Sequence, residues 1–129
     1  MSGSKQYSIT RSREDYLRII YELAEFSKAI RSSDVAEMLG VTRASVSRMM
    51  SELKNSGMIE KEKYGSVVLT EKGYNLAEQI KNKHDLIVRF LIDVLGVNTA
   101  IANEDACEME HAVSRETAEK LSVQLSKLL

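Results

Sequence analysis

A chain of 129 residues, 43% of them apolar, can build one ordinary domain or two small ones that share a core. No apolar run approaches the ~20 residues that span a bilayer, and the polar N-terminus MSGSKQYS does not read as a signal peptide, so a cytoplasmic protein with no membrane partner is the expectation. The net charge of −1 keeps a nucleic-acid partner from being read off bulk charge, although residues 1–72 carry 12 Lys/Arg against 10 Asp/Glu (net +2) and residues 73–129 carry 6 against 9 (net −3), which permits a basic face on the N-terminal half.

With no proline, six glycines and charges interleaved among Leu, Ile, Ala and Met, the chain is expected to be mainly α. Residues 12–28, SREDYLRIIYELAEFSK, set Tyr16, Ile19, Ile20, Leu23 and Phe26 or Ser27 on one helix face. Ser12 is the N-cap candidate there, with Glu14 and Asp15 in an acidic first turn. A shorter helix follows in SSDVAEMLG, capped by Ser32 or Ser33 and stopped by Gly40, with Val35, Ala36 and Leu39 inward. Thr42 caps a third, whose stripe is Val46, Met49, Met50 and Leu53 and whose end is Asn55-Ser56-Gly57. MIEKEKYGSVVLT then alternates in two short runs around Tyr64-Gly65-Ser66, the pattern of a hairpin.

From Glu71 the pattern is helical again, with Thr70 as the N-cap of a long helix. Leu76, Ile80, His84, Ile87, Phe90, Leu91 and Val94 recur at helical spacing to about Leu95, and Gly96 ends the run; this long helix is expected to join two subdomains rigidly. Asn98 opens a further helix through DACEMEHAV, and Ser114 caps the last, RETAEKLSVQLSKLL. In that last helix Ala118, Leu121, Val123, Leu125 and Leu128 suit either a dimer interface or a cover for the long helix.

Two helices joined by LGVT and followed by a hairpin describe a winged helix–turn–helix. The exposed face of the second helix offers Thr42, Arg43, Ala44, Ser45, Ser47 and Arg48. Short hydroxyl donors and two guanidiniums at a helix N-terminal end are what a DNA major groove can receive. Lys61 and Lys63 flank a wing tip at Tyr64-Gly65 and are placed to meet phosphates. The plainer reading is a structural or protein-binding element with Arg43 and Arg48 as solvated charges.

The stretch DACEMEH, residues 105–111, contains the only cysteine and one of two histidines. A single cysteine makes no internal disulfide, so Cys107 is either a small buried apolar residue or a reactive or ligating thiol. On a helix Cys107, Glu110 and His111 share one face. Thiolate, carboxylate and imidazole are all ligands for divalent transition metals, and His84 or Asp15 could close the set from elsewhere in the chain. The bland alternative is a core cysteine beside two surface residues.

Taken together, EDYLRIIYEL (14–23), DVAEMLGVTRASVSRMMSEL (34–53), VVLTEKG (67–73), KHDLIVRFLIDVLGV (83–97) and DACEMEH (105–111) resemble the diphtheria-toxin-repressor and manganese-transport-regulator family of metal-dependent bacterial transcription regulators. The resemblance implies a winged helix–turn–helix DNA-binding domain over residues 1–72, followed by a helical metal-binding and dimerisation domain over residues 73–129. It implies a primary metal site of Asp15, Cys107, Glu110 and His111, with His84 at a second or shared position. It also implies a homodimer on a pseudo-palindromic operator, no organic substrate and control of metal-ion uptake.

The chain departs from both branches of that family. Arg18 stands where the manganese-responsive branch has an acidic ligand, and Cys107 where that branch has Glu. Asp15 stands where the iron-responsive branch has Met, while Val88 and Asn103 replace its second-site ligands. The primary site thus reads as a hybrid, and the SH3-like third domain of longer members has no counterpart in these residues. A thiolate favours Fe(II), Co(II) or Zn(II) over Mn(II), and geometry and availability decide among metals in the cell; Fe(II) is the expected co-repressor, with Mn(II) next. The competing readings are a metal-independent winged-helix transcription factor with an incidental or redox-active Cys107 cluster, a purely structural helical dimer, and an enzyme using Cys107 with His111, which lacks any identifiable oxyanion hole.

Overall fold

Helical periodicity and local capping chemistry organise the chain, seen in a computed structural model that describes residues 2–26, 29–62 and 65–128, with side chains from Ser12 onward. The chain divides into two compact units, Met1–Gln79 and Ile80–Leu129. Among the described residues no helix is long and apolar enough to cross a membrane.

The first unit opens with α1 (Ser2–Phe26). This helix starts well before Ser12, so Ser12 lies inside it and is not its cap; SKQYSITRS contains no proline or glycine to stop a helix sooner. Tyr16, Leu17, Ile19 and Ile20 are buried, but Phe26 is 87% exposed and does not extend the apolar stripe; Ser27 lies outside the described residues. α2 (Ser32–Leu39) takes Arg31, not Ser32 or Ser33, as its N-cap, because the Asp34 carboxylate reaches back to accept from the Arg31 N–H at 2.9 Å. Gly40 ends it at φ +66°, in the left-handed region.

α3 (Arg43–Asn55) is capped as expected: the Thr42 hydroxyl accepts from the Ser45 N–H at 3.1 Å. Val46, Met50 and Leu53 are buried along its inner face. Strands β1 (Ile59–Lys61) and β2 (Val67–Leu69) pair antiparallel, with Ile59 opposite Leu69 and Lys61 opposite Val67. The Val67 N–H also donates to the Ile30 carbonyl at 2.8 Å, adding a one-residue bridge on the hairpin's other side. Lys63 and Tyr64, expected at the wing tip, lie outside the described residues.

α4 (Glu71–Arg89) begins in the first unit and ends in the second. Thr70 caps it, its hydroxyl accepting from the Gly73 N–H at 3.0 Å. Gly73 is where this helix meets the backbone: a Cβ there would stand 1.9 Å from the Met58 carbonyl oxygen. Beyond Arg89 the helix widens into a π-helical stretch, Phe90–Val94, in which the Leu95 N–H reaches back to the Phe90 carbonyl. The extra residue per turn moves the apolar stripe out of register. Val94 is therefore 38% exposed instead of continuing the buried face.

α5 (Thr99–Ala112) is capped by Asn98, which accepts from the Ala100 N–H, and α6 (Arg115–Leu128) by Ser114, which accepts from the Thr117 N–H. The core of the second unit is Ile87, Leu91, Ala102 and Ala106, with Val88, Phe90, Ile92, Val97, Val113 and Leu121 packed around it. In α6 Leu125 is buried, whereas Val123 and Leu128 are 54% and 63% exposed.

Gly73→Ala gains helix propensity but drives a methyl into a carbonyl. The expected outcome is a net loss of about 1–3 kcal/mol of stability, measured by urea unfolding.

Candidate metal centre and DNA-reading face

α5 has small residues, Ala102 and Ala106, where it packs against α4 and the π-helical stretch, and both are fully buried. This close approach puts Glu110, one turn beyond Ala106, fully out of solvent. Burying a carboxyl group without partners costs several kcal/mol, and two imidazoles meet it. His84 on α4 brings Nδ1 to 2.6 Å from Glu110 Oε2, and His111 brings Nε2 to 3.4 Å from Glu110 Oε1. Both histidine side chains are themselves buried, at 7% and 2% exposure. The Lys83 ammonium donates to the Val113 carbonyl at 3.3 Å and fastens the end of α5 to α4 beside them.

The structure therefore brings His84, Glu110 and His111 together inside the second unit. Cys107 sits one turn before Glu110 on the same helix and is half-buried. Asp15 lies on α1 in the first unit and is half-buried. Arg18, which replaces an acidic ligand of the manganese-responsive branch, is 7% exposed, and its guanidinium donates to Glu22 one turn on at 2.9 Å; a guanidinium offers no lone pair to a metal. Val88 packs against the apolar core. The Asn103 amide donates to the Thr99 carbonyl of its own helix.

As a donor set this chemistry fits a divalent transition metal. Two imidazoles and a carboxylate are gathered out of water, and a thiol stands on the same helix. The short contact between Glu110 Oε2 and His84 Nδ1 fixes the orientation of that imidazole ring.

On the other unit, Thr42, Arg43, Ala44, Ser45, Ser47 and Arg48 are all exposed along α3. Two of the hydroxyls are engaged with each other, Thr42 Oγ1–H donating to Ser45 Oγ at 3.0 Å. Lys61 is exposed on β1 between Glu60 and Glu62, so the wing carries acidic as well as basic groups. Missed in the sequence were the contacts at the end of α3, on residues 56–58. Arg13 from α1 reaches the Ser56 hydroxyl, Lys72 the Ser56 carbonyl and Thr70 the Gly57 carbonyl. No periodicity marks such long-range bonds.

Two family descriptions match the chain in tandem: iron dependent repressor, N-terminal DNA binding domain, over residues 8–67, and iron dependent repressor, metal binding and dimerisation domain, over residues 70–128. The chain belongs to the iron-dependent repressor family. Among its relatives, the transcriptional regulator MntR of Escherichia coli O6:H1 is 37% identical over 120 residues, covering 91% of this chain and 77% of that protein. An uncharacterised helix–turn–helix-type regulator of Methanocaldococcus jannaschii is 36% identical over 120 residues, covering 92% and 96%. Among solved structures, the manganese regulator SloR superposes with a TM-score of 0.79 at 37% identity, and the metal-dependent transcriptional regulator MtsR with 0.83 at 38%. Each covers 88% of this chain, which spans about half, 53%, of either structure.

Because a carboxylate can only accept, His84 is expected in its Nδ1–H form in chelator-treated protein. Long-range ¹⁵N–¹H spectra should show that tautomer, and Glu110→Ala should abolish the preference.

Proposed function

We propose that this protein is a metal-dependent transcriptional repressor of the cytoplasm. It binds a pseudo-palindromic operator as a homodimer when loaded with a divalent metal, and it controls metal-ion uptake genes. The observation that carries this reading is Glu110, a carboxyl group with no exposed surface held between His84 and His111, in a chain whose other half is a DNA-binding domain of the same family.

In this reading Glu110, His111 and Cys107 ligate the metal from the C-terminal half, His84 supplies a further or shared donor, and Asp15 supplies the ligand from the DNA-binding half. The functional division lies near residue 72. A bound divalent metal would supply positive charge that offsets the repulsion between the carboxylates of Asp15 and Glu110. It acts as co-repressor to the extent that it binds the DNA-competent arrangement more tightly than the rest of the ensemble. A coupling of ~1–3 kcal/mol changes DNA affinity by about one to two powers of ten. The Cys107 thiolate favours Fe(II) over Mn(II), and Mn(II) stands next because the carboxylates suit it and the names of MntR and SloR point to manganese in those proteins. Thr42, Arg43, Ala44, Ser45, Ser47 and Arg48 enter the major groove, while Lys61, Lys63 and Tyr64 meet the backbone from the wing. No catalytic role is assigned to any residue.

The test is fluorescence anisotropy on DNA from upstream of the protein's own gene, run anaerobically in chelator and then with Fe(II), Mn(II) and Zn(II). Tight binding is expected only with metal, and the order of the metals ranks the co-repressors; equal specific binding in chelator would defeat the metal-sensor reading and leave a metal-independent winged-helix factor. In the metal-loaded protein, Arg48→Ala should weaken specific binding by about 1–3 kcal/mol, whereas Lys61→Ala should weaken binding to all sequences alike and lower the slope of log affinity against log salt by about 1.

A further inference from the structure

The turn between α3 and β1 is held from two sides. From α1, the Arg13 guanidinium reaches the Ser56 hydroxyl at 3.4 Å. From the start of α4, the Thr70 hydroxyl donates to the Gly57 carbonyl at 2.6 Å, the Lys72 ammonium donates to the Ser56 carbonyl at 3.2 Å, and the Thr70 N–H donates to the Met58 carbonyl at 3.0 Å. The missing side chain of Gly73 lets α4 lie directly on Met58. Ser56 is the C-cap of α3, and Met58 leads into β1. The turn therefore sets where both the exposed helix and the wing point.

The two helices that grip this turn are the two outside α5 that carry candidate metal ligands. Asp15 lies two residues beyond Arg13 on α1, and His84 lies on α4 downstream of Thr70, Lys72 and Gly73. We propose that residues 56–58 are the point at which metal occupancy is passed to the DNA-reading surface, with Thr70 as the positioning residue. This rests on the metal-repressor reading above. The Thr70 hydroxyl has two separable jobs: its oxygen accepts from the Gly73 N–H and caps α4, while its proton holds Gly57. An α-helix is stiff along its axis, so a constraint at His84 is felt at its first turn, and Thr70 and Lys72 fasten that turn to the end of α3. Neither residue touches DNA or metal in this scheme.

The experiment uses the full chain and a duplex selected from a randomised pool by the Mn(II)-loaded wild-type protein. DNA affinity is measured in chelator and in Mn(II) for wild type, Thr70→Ser, Thr70→Asp and Thr70→Asp/Lys72→Met. Asp keeps the cap acceptor, being a good N-cap residue, but has no proton to give Gly57. The expected result is unchanged affinity in chelator and a metal-dependent gain reduced by roughly fivefold in Thr70→Asp, the effect of one net hydrogen bond. The gain falls further in the double variant and is restored in Thr70→Ser. Mn(II) affinity measured with and without the duplex must lose the same factor, since linkage is reciprocal. A full metal-dependent gain in Thr70→Asp overturns this inference alone. An equal fall in chelator and in Mn(II) also overturns it, marking Thr70 as structural only. If wild type shows no metal-dependent gain, both this inference and the metal-repressor reading fall.

Discussion

A carboxyl group without exposed surface constrains everything packed around it, and Glu110 is that group here. Its desolvation is tolerable only while hydrogen-bonding partners stay within reach. This ties the rotation of α5 to that of α4, because a turn of either helix about its axis would withdraw an imidazole. The alanines at 102 and 106 allow the approach, and the Lys83 bond to the Val113 carbonyl fixes its far end. The apolar core of the second unit is small. Its polar centre supplies the directionality that dispersion contacts among Ile87, Leu91 and Leu121 do not.

The first unit solves a different problem, presenting a polar helix face without losing its packing. Val46, Met50 and Leu53 hold α3 from within, and the opposite face is left to hydroxyls and guanidiniums. The hydroxyls are not all free. Thr42 both caps the helix and donates to Ser45, so stability and surface chemistry share one side chain. The same economy recurs at Thr70, which caps α4 and grips Gly57 with one oxygen.

What could be read from the sequence follows the range of the interaction concerned. Thr42, Thr70 and Ser114 were legible as caps, and Asn98 as a helix start, because N-capping is decided within three residues. Ser12 misled because a serine signals a helix start only where something stops the helix from beginning earlier. Ser32 and Ser33 misled because Asp34, reaching backwards, capped the helix in their place. Spacing put Cys107, Glu110 and His111 on one face, but the pairing of His84 with Glu110 joins different helices and has no local signature. Val94 was misplaced because the π-helical stretch at Phe90–Val94 changes the period partway along a helix, and a fixed 3.6-residue repeat does not register that. Residue chemistry and spacing singled out the ligand candidates, and the family resemblance grouped them into a site; neither foretold the Arg13, Thr70 and Lys72 contacts at residues 56–58.

The bridge between Ile30 and Val67 has a kinetic side. A two-stranded hairpin is marginal by itself, and the third segment that steadies this one lies on the far side of α2 and α3 in the chain. Closing that loop spends entropy which is recovered only once α2 and α3 have packed. The wing is thus the non-local part of its unit. Its pairing is complete only once α2 and α3 have packed, so hydrogen exchange at the Val67 amide, which is bonded to the Ile30 carbonyl, reports on that packing as well as on the hairpin.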